Sequence, residues 1–134
     1  MKLTTKSEYS ILSLIYIARN QGENEFIKVE DICKQYDLSR KYLEQLLLIL
    51  KNSGFIKTRR GASGGCRLSK MPKDISLAEI IRLMDGALAP TESVSVYFYS
   101  NTPIEKEKKV LNVMKKIRDY ISDTLEKTTL SDLI

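Results

Sequence analysis

The side chains that could do chemistry are concentrated between residues 40 and 70. That stretch holds eight Lys or Arg against one Asp or Glu, whereas residues 71–134 hold nine against ten. A concentrated block of cations is the electrostatic footprint of a polyanion partner; charge alone would equally suit an ordinary solvated surface. Within the block, Arg40, Lys41, Tyr42, Glu44 and Gln45 fall on the exposed side of a helical pattern whose buried side is Leu43, Leu46, Leu47 and Leu50. Arg and Lys bond phosphate or guanine, Gln pairs with adenine, and a carboxylate accepts from cytosine N4. Glu44 weakens attraction to phosphate as such, so it points to base reading. Arg59 and Arg60 precede Gly61-Ala62-Ser63-Gly64-Gly65. Those glycines permit positive φ and close backbone approach, and an arginine at such a tip can enter a narrow minor groove. Arg67 and Lys70 would add phosphate contacts.

Other chemistries find less support. The chain has no histidine, no paired acid–base motif and no cofactor fingerprint, so nothing points to an enzyme. The glycine loop is not a phosphate-binding loop, because no Gly-Lys-Ser/Thr follows it. Cys33 lies on an apolar stripe, where a small buried hydrophobe is the plain reading. Cys66 follows the glycines, and Arg59, Arg60 and Arg67 nearby would lower its pKa and make it a redox-reactive thiol.

These residues need elements to hold them. At 134 residues, 43% of them hydrophobic, the chain suits one compact domain with an appended helix. Helical spacing predicts a helix over residues 8–20, with Leu12, Ile15, Tyr16 and Arg19 marking its face. A short helix follows through Val29, Ile32, Cys33 and Tyr36, with Lys28 where a cap is expected. After the turn Asp37-Leu38-Ser39, Ser39 caps a helix over residues 39–51 that Ser53-Gly54 closes. Two short strands, Phe55–Arg60 and Cys66–Ser69, flank the glycines as a hairpin. Ser76-Leu77-Ala78-Glu79 is a capping box opening a helix that stops at Asp85-Gly86. Residues 87–103 read as a loop with a short strand near Val94–Tyr99. Residues 104–127 read as the longest helix, striped by Val110, Met114, Ile117, Ile121 and Leu125.

The fold class is therefore mostly α with a small β-hairpin. It reads as a winged helix-turn-helix domain over residues 1–86, a loop over 87–103, and a long C-terminal dimerisation helix and tail over 104–134. The order helix, helix, turn, helix, glycine-tipped hairpin places the third helix in a major groove about 12 Å wide.

The sequence also resembles the IscR/NsrR/CymR-type family of bacterial winged helix-turn-helix regulators over nearly its whole length. The resemblance rests on Met1 to Tyr9, Leu38-Ser39-Arg40-Lys41-Tyr42-Leu43-Glu44-Gln45-Leu46, Gly54-Phe55-Ile56-Lys57, Arg60-Gly61-Ala62-Ser63-Gly64-Gly65, Ile75 to Ile81 and Thr128 to Leu133. It implies a transcriptional regulator, expected to be a repressor, whose long C-terminal helix pairs in a homodimer on a partly palindromic double-stranded operator. It further implies DNA contacts at Ser39, Tyr42, Glu44, Gln45 and Arg60. Many members bind an iron–sulfur cluster through three cysteines in the loop before the long helix. Here residues 87–103 have none, and Glu8, where some members place an acidic ligand, cannot hold a cluster that needs thiolates. The chain thus matches the cluster-free branch, and no cofactor or metal is expected. Cys66 stands where the family usually has an aromatic residue.

Three questions stay open at the level of sequence. Tyr97, Phe98 and Tyr99 either pack against a neighbouring helix or wall an effector pocket. The stripe of the last helix serves either self-association or the chain's own core. The control partner is a regulatory protein or a small-molecule effector, with thiol-based redox sensing through Cys33 or Cys66 as the rival. A protein-interaction module controlling a partner enzyme is the reading from another class. No apolar run reaches the roughly 20 residues that cross a bilayer, and two cysteines with no secretory signal lead us to expect a cytoplasmic protein.

Overall fold

Helix α1 spans Thr5–Asn20 because Thr4 caps it, its Oγ1 accepting from the Ser7 N–H at 3.4 Å, and Glu8 stands in the favourable first turn. It starts three residues earlier than the apolar spacing predicts, and its buried stripe is turned. Ser7, Ser10, Ser13, Leu14 and Ile17 are buried, while Leu12, Ile15 and Tyr16 are half-buried and Arg19 is exposed. Serines escape an apolar-periodicity reading, yet small side chains suit a helix packed closely on α4. The Ser13 hydroxyl donates back to the Tyr9 carbonyl at 2.7 Å. The coordinates, a computed structural model, describe all of Met1–Ile134.

Helices α2 (Val29–Tyr36) and α3 (Arg40–Asn52) form the helix-turn-helix. As the spacing predicts, α2 begins without a side-chain cap at Lys28. The turn between them works because Asp37 adopts φ 54°, a left-handed conformation that Asp tolerates. Ser39 then caps α3, its hydroxyl accepting from the Tyr42 N–H at 3.5 Å. Leu43, Leu46, Leu47 and Leu50 are buried, and Gly54 (φ 84°) turns the chain out of the helix.

The wing is the antiparallel pair β1 (Ile56–Arg59) and β2 (Gly65–Leu68), with Ile56 opposite Leu68 and Arg59 opposite Gly65. It is tied to the body by Ile27, which exchanges backbone bonds of 2.7 and 2.8 Å with Cys66. Ile56, Cys66 and Leu68 turn inward into a core with Leu14, Ile17, Ile32, Leu43, Leu50 and Ile80. Each such buried aliphatic side chain contributes about 2 kcal/mol, enough together to fix α3 and the wing as one rigid frame.

Helix α4 (Leu77–Asp85) opens with the predicted capping box, both of its bonds formed. Residues 87–103 contain no strand; a 3-10 turn at Glu92–Val94 stands instead, and a second at Pro103–Lys106 delays the long helix α5 to Lys108–Lys127. The tail grouped with that helix returns to the core. Leu130 is fully buried in the main cluster, and backbone bonds join Leu77 to Thr128 and Leu130 to Ile75. No residue of α5 itself is buried. No helix is long and apolar enough to cross a membrane.

Candidate nucleic-acid interface

Between α3 and the wing lies an open groove of about 470 Å³, whose walls include Arg40, Glu44, Leu48, Lys51, Thr58 and Arg60. Residues 40, 44, 48 and 51 share one helical face because side chains four and three apart stack on a helix. Lys41 and Gln45 are exposed beside it, and Ser39 and Tyr42 sit at the helix start. Tyr42 is half-buried and held edge-on against Tyr9 of α1, ring centroids 5.6 Å apart, which fixes its orientation. The face thus joins Ser39, Arg40, Lys41, Tyr42, Glu44 and Gln45 at the exposed end of α3, next to the glycine tip. Lys51, Leu48 and Thr58 were not singled out by residue type, although the spacing from Arg40 and Glu44 already carries the first two.

The cations of this region have different surroundings. Arg60 and Lys41 are exposed and have no ion-pair partner within the chain, and Arg60 leads into Gly61 (φ 100°) at the wing tip. Arg59 lies instead at the end of β1, where its Nη2 donates to the Ser63 carbonyl at 3.0 Å and its guanidinium stacks 4.3 Å from the centre of the Phe26 ring. Arg67 donates to the Glu25 carbonyl at 3.1 Å, bracing the loop before α2. Lys70 lies over the Phe55 ring. Arg67 and Lys70 thus lie on the flank of the wing and not at its tip. Arg40 bonds Glu30 at 2.7 Å and Glu44 at 2.9 Å.

Gly64 and Gly65 serve packing as well as backbone freedom. A Cβ on Gly64 would meet the Arg59 carbonyl oxygen at 2.2 Å, and one on Gly65 (φ 144°) would meet that of Ile27 at 2.2 Å. Only glycine lets the wing close on itself and on the Ile27 backbone.

Cys66 is not in the surroundings that its neighbouring arginines suggested. Cys66 is 1% exposed and faces the core, its Sγ within 3.5 Å of the Ile27 carbonyl oxygen. Burial pushes its thiol up to about 12, the opposite of the activation expected from neighbouring arginines. Those side chains point away from it, because alternate residues of a strand face opposite sides. Cys33 is half-buried against the core, and burial raises its pKa too.

Of the two alternatives for Tyr97, Phe98 and Tyr99, an effector pocket is not formed in this structure. The space beneath them is about 10 Å³, on the order of one water, and the three rings lie largely in solvent. Arg82 stacks on Tyr97 and pairs with Glu126, while Arg118 donates to the Val94 carbonyl at 3.0 Å, so the loop is pinned to α4 and α5. On α5, Ile121 and Leu125 pack on Ala78, Ile81 and Leu88 of the same chain. Val110 and Ile117 are exposed with Val113 and Tyr120, a stripe of alternating three- and four-residue steps, while Met114 is half-buried.

The model of the Rrf2 family, described as an iron-dependent transcriptional regulator, matches residues 3–134. The HTH-type transcriptional regulator CymR of Bacillus subtilis is 35% identical over 133 residues, which span 99% of this chain and 89% of that protein. The HTH-type transcriptional regulator NsrR of Bacillus licheniformis is 34% identical over 136 residues, 100% of this chain and 92% of that one. The solved structure of CymR, the global cysteine regulator of B. subtilis, superimposes with a TM-score of 0.80 at 33% identity, covering 99% of this chain and 95% of that one. The donors of this chain do not match the set of thiolates that an iron–sulfur cluster needs. The two thiols sit on different elements and face apolar surroundings, and no three Cys, Asp or Glu side chains converge on one point.

Proposed function

The chain belongs to the Rrf2 family of transcriptional regulators, and from that premise we propose that it is a repressor acting as a homodimer on a partly palindromic operator. In this reading each subunit lays α3 in a major groove, where Gln45 and Glu44 meet base edges and Ser39, Tyr42 and Lys41 meet the backbone. Arg60 and the Gly61–Gly65 tip reach the adjacent minor groove. Repression follows from occupying a promoter.

The observation that carries the reading is the groove itself: one wall is the exposed polar face of α3, the other a glycine-built wing with Arg60 unpaired at its tip. The homodimer is supported by α5, whose Val110, Val113, Ile117 and Tyr120 form an apolar stripe that the rest of the chain leaves uncovered. Half-sites would then be spaced near one helical turn or a multiple. No iron–sulfur cluster enters this proposal. With both thiols buried or half-buried and raised in pKa, and with space for no more than one water beneath Tyr97 and Phe98, we assign control to a regulatory protein acting through α5 and the 87–103 loop. Footprinting tests the docking. Arg60→Ala should weaken binding most at sites with A·T-rich flanks, and Gln45→Ala should change base preference and not overall affinity. Unchanged footprints in both variants would overturn it.

A further inference from the structure

We propose that Arg40 is a specificity-determining positioning residue: it fixes the Glu44 carboxylate for reading an exocyclic base amine and does not itself serve as a phosphate contact. The inference rests on the reading of α3 as the base-contacting helix.

One guanidinium joins two helices here. Arg40 Nη1 lies 2.7 Å from Glu30 Oε1 on α2, and Arg40 Nε donates to Glu44 Oε1 on α3 at 2.9 Å. Using two edges of a planar group fixes direction as well as distance, which a lysine could not do. Left to itself α3 would hold this arrangement poorly. A cation at the first helical position opposes the helix dipole, and Arg placed four residues before Glu is the weaker order of such a pair. Glu30 supplies what α3 lacks. It is the second residue of α2, where a carboxylate is favoured, and its carboxyl is held below the usual range, chiefly by a backbone N–H of that helix end and further by Arg40. Glu30 is thus a fixed anion that keeps Arg40 turned toward Glu44.

The consequence for recognition follows from charge. Two carboxylates and one guanidinium leave a net negative group on the groove wall nearest the helix start, so the triad adds nothing to attraction by phosphate. If Arg40 swung out to a phosphate, Glu44 would stand uncompensated beside the same chain. Glu44 Oε1 is committed to Arg40, and Oε2 takes no hydrogen bond from the protein. That oxygen is the acceptor presented to the groove, and an acceptor there suits cytosine N4.

The test uses duplexes selected by the full-length wild-type protein from a random-sequence library, with every single-base-pair variant of the winner. Glu44→Ala first locates the position where preference depends on the carboxylate. At that position alone, Arg40→Ala and Glu30→Gln should each cut discrimination by about two- to tenfold, a range set by the modest strength of exposed pairs. The double variant should lose no more than Arg40→Ala does. The slope of log affinity against log salt should stay at its wild-type value. Uniform weakening across all sequences, with the slope reduced by about 0.9 for Arg40→Ala, identifies a phosphate contact and overturns the proposal. Additive losses in the double variant, or unchanged discrimination in both single variants, overturn it as well. A wild-type protein that selects no sequence at all removes the premise that α3 reads bases. Thermal melts matching the wild type show that the surface substitutions leave the fold intact.

Discussion

Gly65→Ala tests the wing as the structure builds it. Gly65 lies at φ 144°, and a Cβ there would stand 2.2 Å from the Ile27 carbonyl oxygen, where ordinary contact begins at 3.4 Å. The Ile27 backbone would have to retreat by about 1.2 Å, which breaks its paired backbone bonds of 2.7 and 2.8 Å with Cys66. Each bond contributes about 1 kcal/mol net, and an unfavourable φ adds about 1 kcal/mol more. The expected loss is about 3 kcal/mol, or roughly 10 °C in Tm for a chain of this size. Gly61→Ala is the matched control. Gly61 also has positive φ, 100°, but nothing lies within 4 Å of its Cβ position, so only the conformational cost of about 1 kcal/mol applies. Urea unfolding of the full chain reads both values, and titration with operator duplex reads the wing separately. A Gly65→Ala loss no larger than that of Gly61→Ala would refute the claim that the Ile27 bridge locks the wing in place.

Four further outcomes follow from the same structure. Ser10 Oγ is buried with no hydrogen-bond partner, so Ser10→Ala should raise unfolding free energy by about 0.5–1 kcal/mol in urea titration; a loss would mean the hydroxyl is satisfied. Ser76→Ala removes the cap from α4 and should cost about 1 kcal/mol by the same assay. Cys66 keeps its proton in the folded state up to about pH 12, against an ordinary thiol value of 9.0. Its contribution is therefore complete below pH 9 and lost as pH rises above it, so wild type should lose more stability between pH 8 and pH 10 than Cys66→Ala does; parallel curves would contradict this. Ile117→Asp puts a charge on the exposed stripe of α5 and should give monomers by sedimentation while leaving the monomer fold unchanged by circular dichroism.

Much of the fold was legible because its signals are local. Ser39, Gly54 and the Ser76/Glu79 capping box each act within four residues, and the four leucines of α3 repeat at helical spacing. The buried face of α1 is not legible from apolar spacing because it includes three serines, whose burial is set by tertiary packing and not by their polarity. The direction of Cys66 was likewise set by register. Pairing Thr58 with Cys66 and tying Cys66 to Ile27 turns the thiol inward, and a one-residue shift would have turned it out. At the interface, residue types and order marked α3 and the wing tip. The Glu30–Arg40–Glu44 bridge and the stacking of Arg59 on Phe26 join residues on separate elements, and no spacing rule along the chain reaches them.

In the proposed function α3 and the wing together read a DNA sequence. Its most direct test is selection from a random-sequence duplex library by the purified full-length protein at physiological salt, with the stoichiometry of the selected complex measured. The expected result is enrichment of a partly palindromic inverted repeat bound by two chains, and loss of that enrichment in Gln45→Ala combined with Arg60→Ala. Equal recovery of all sequences, or an enriched site bound unchanged by the double variant, would contradict it.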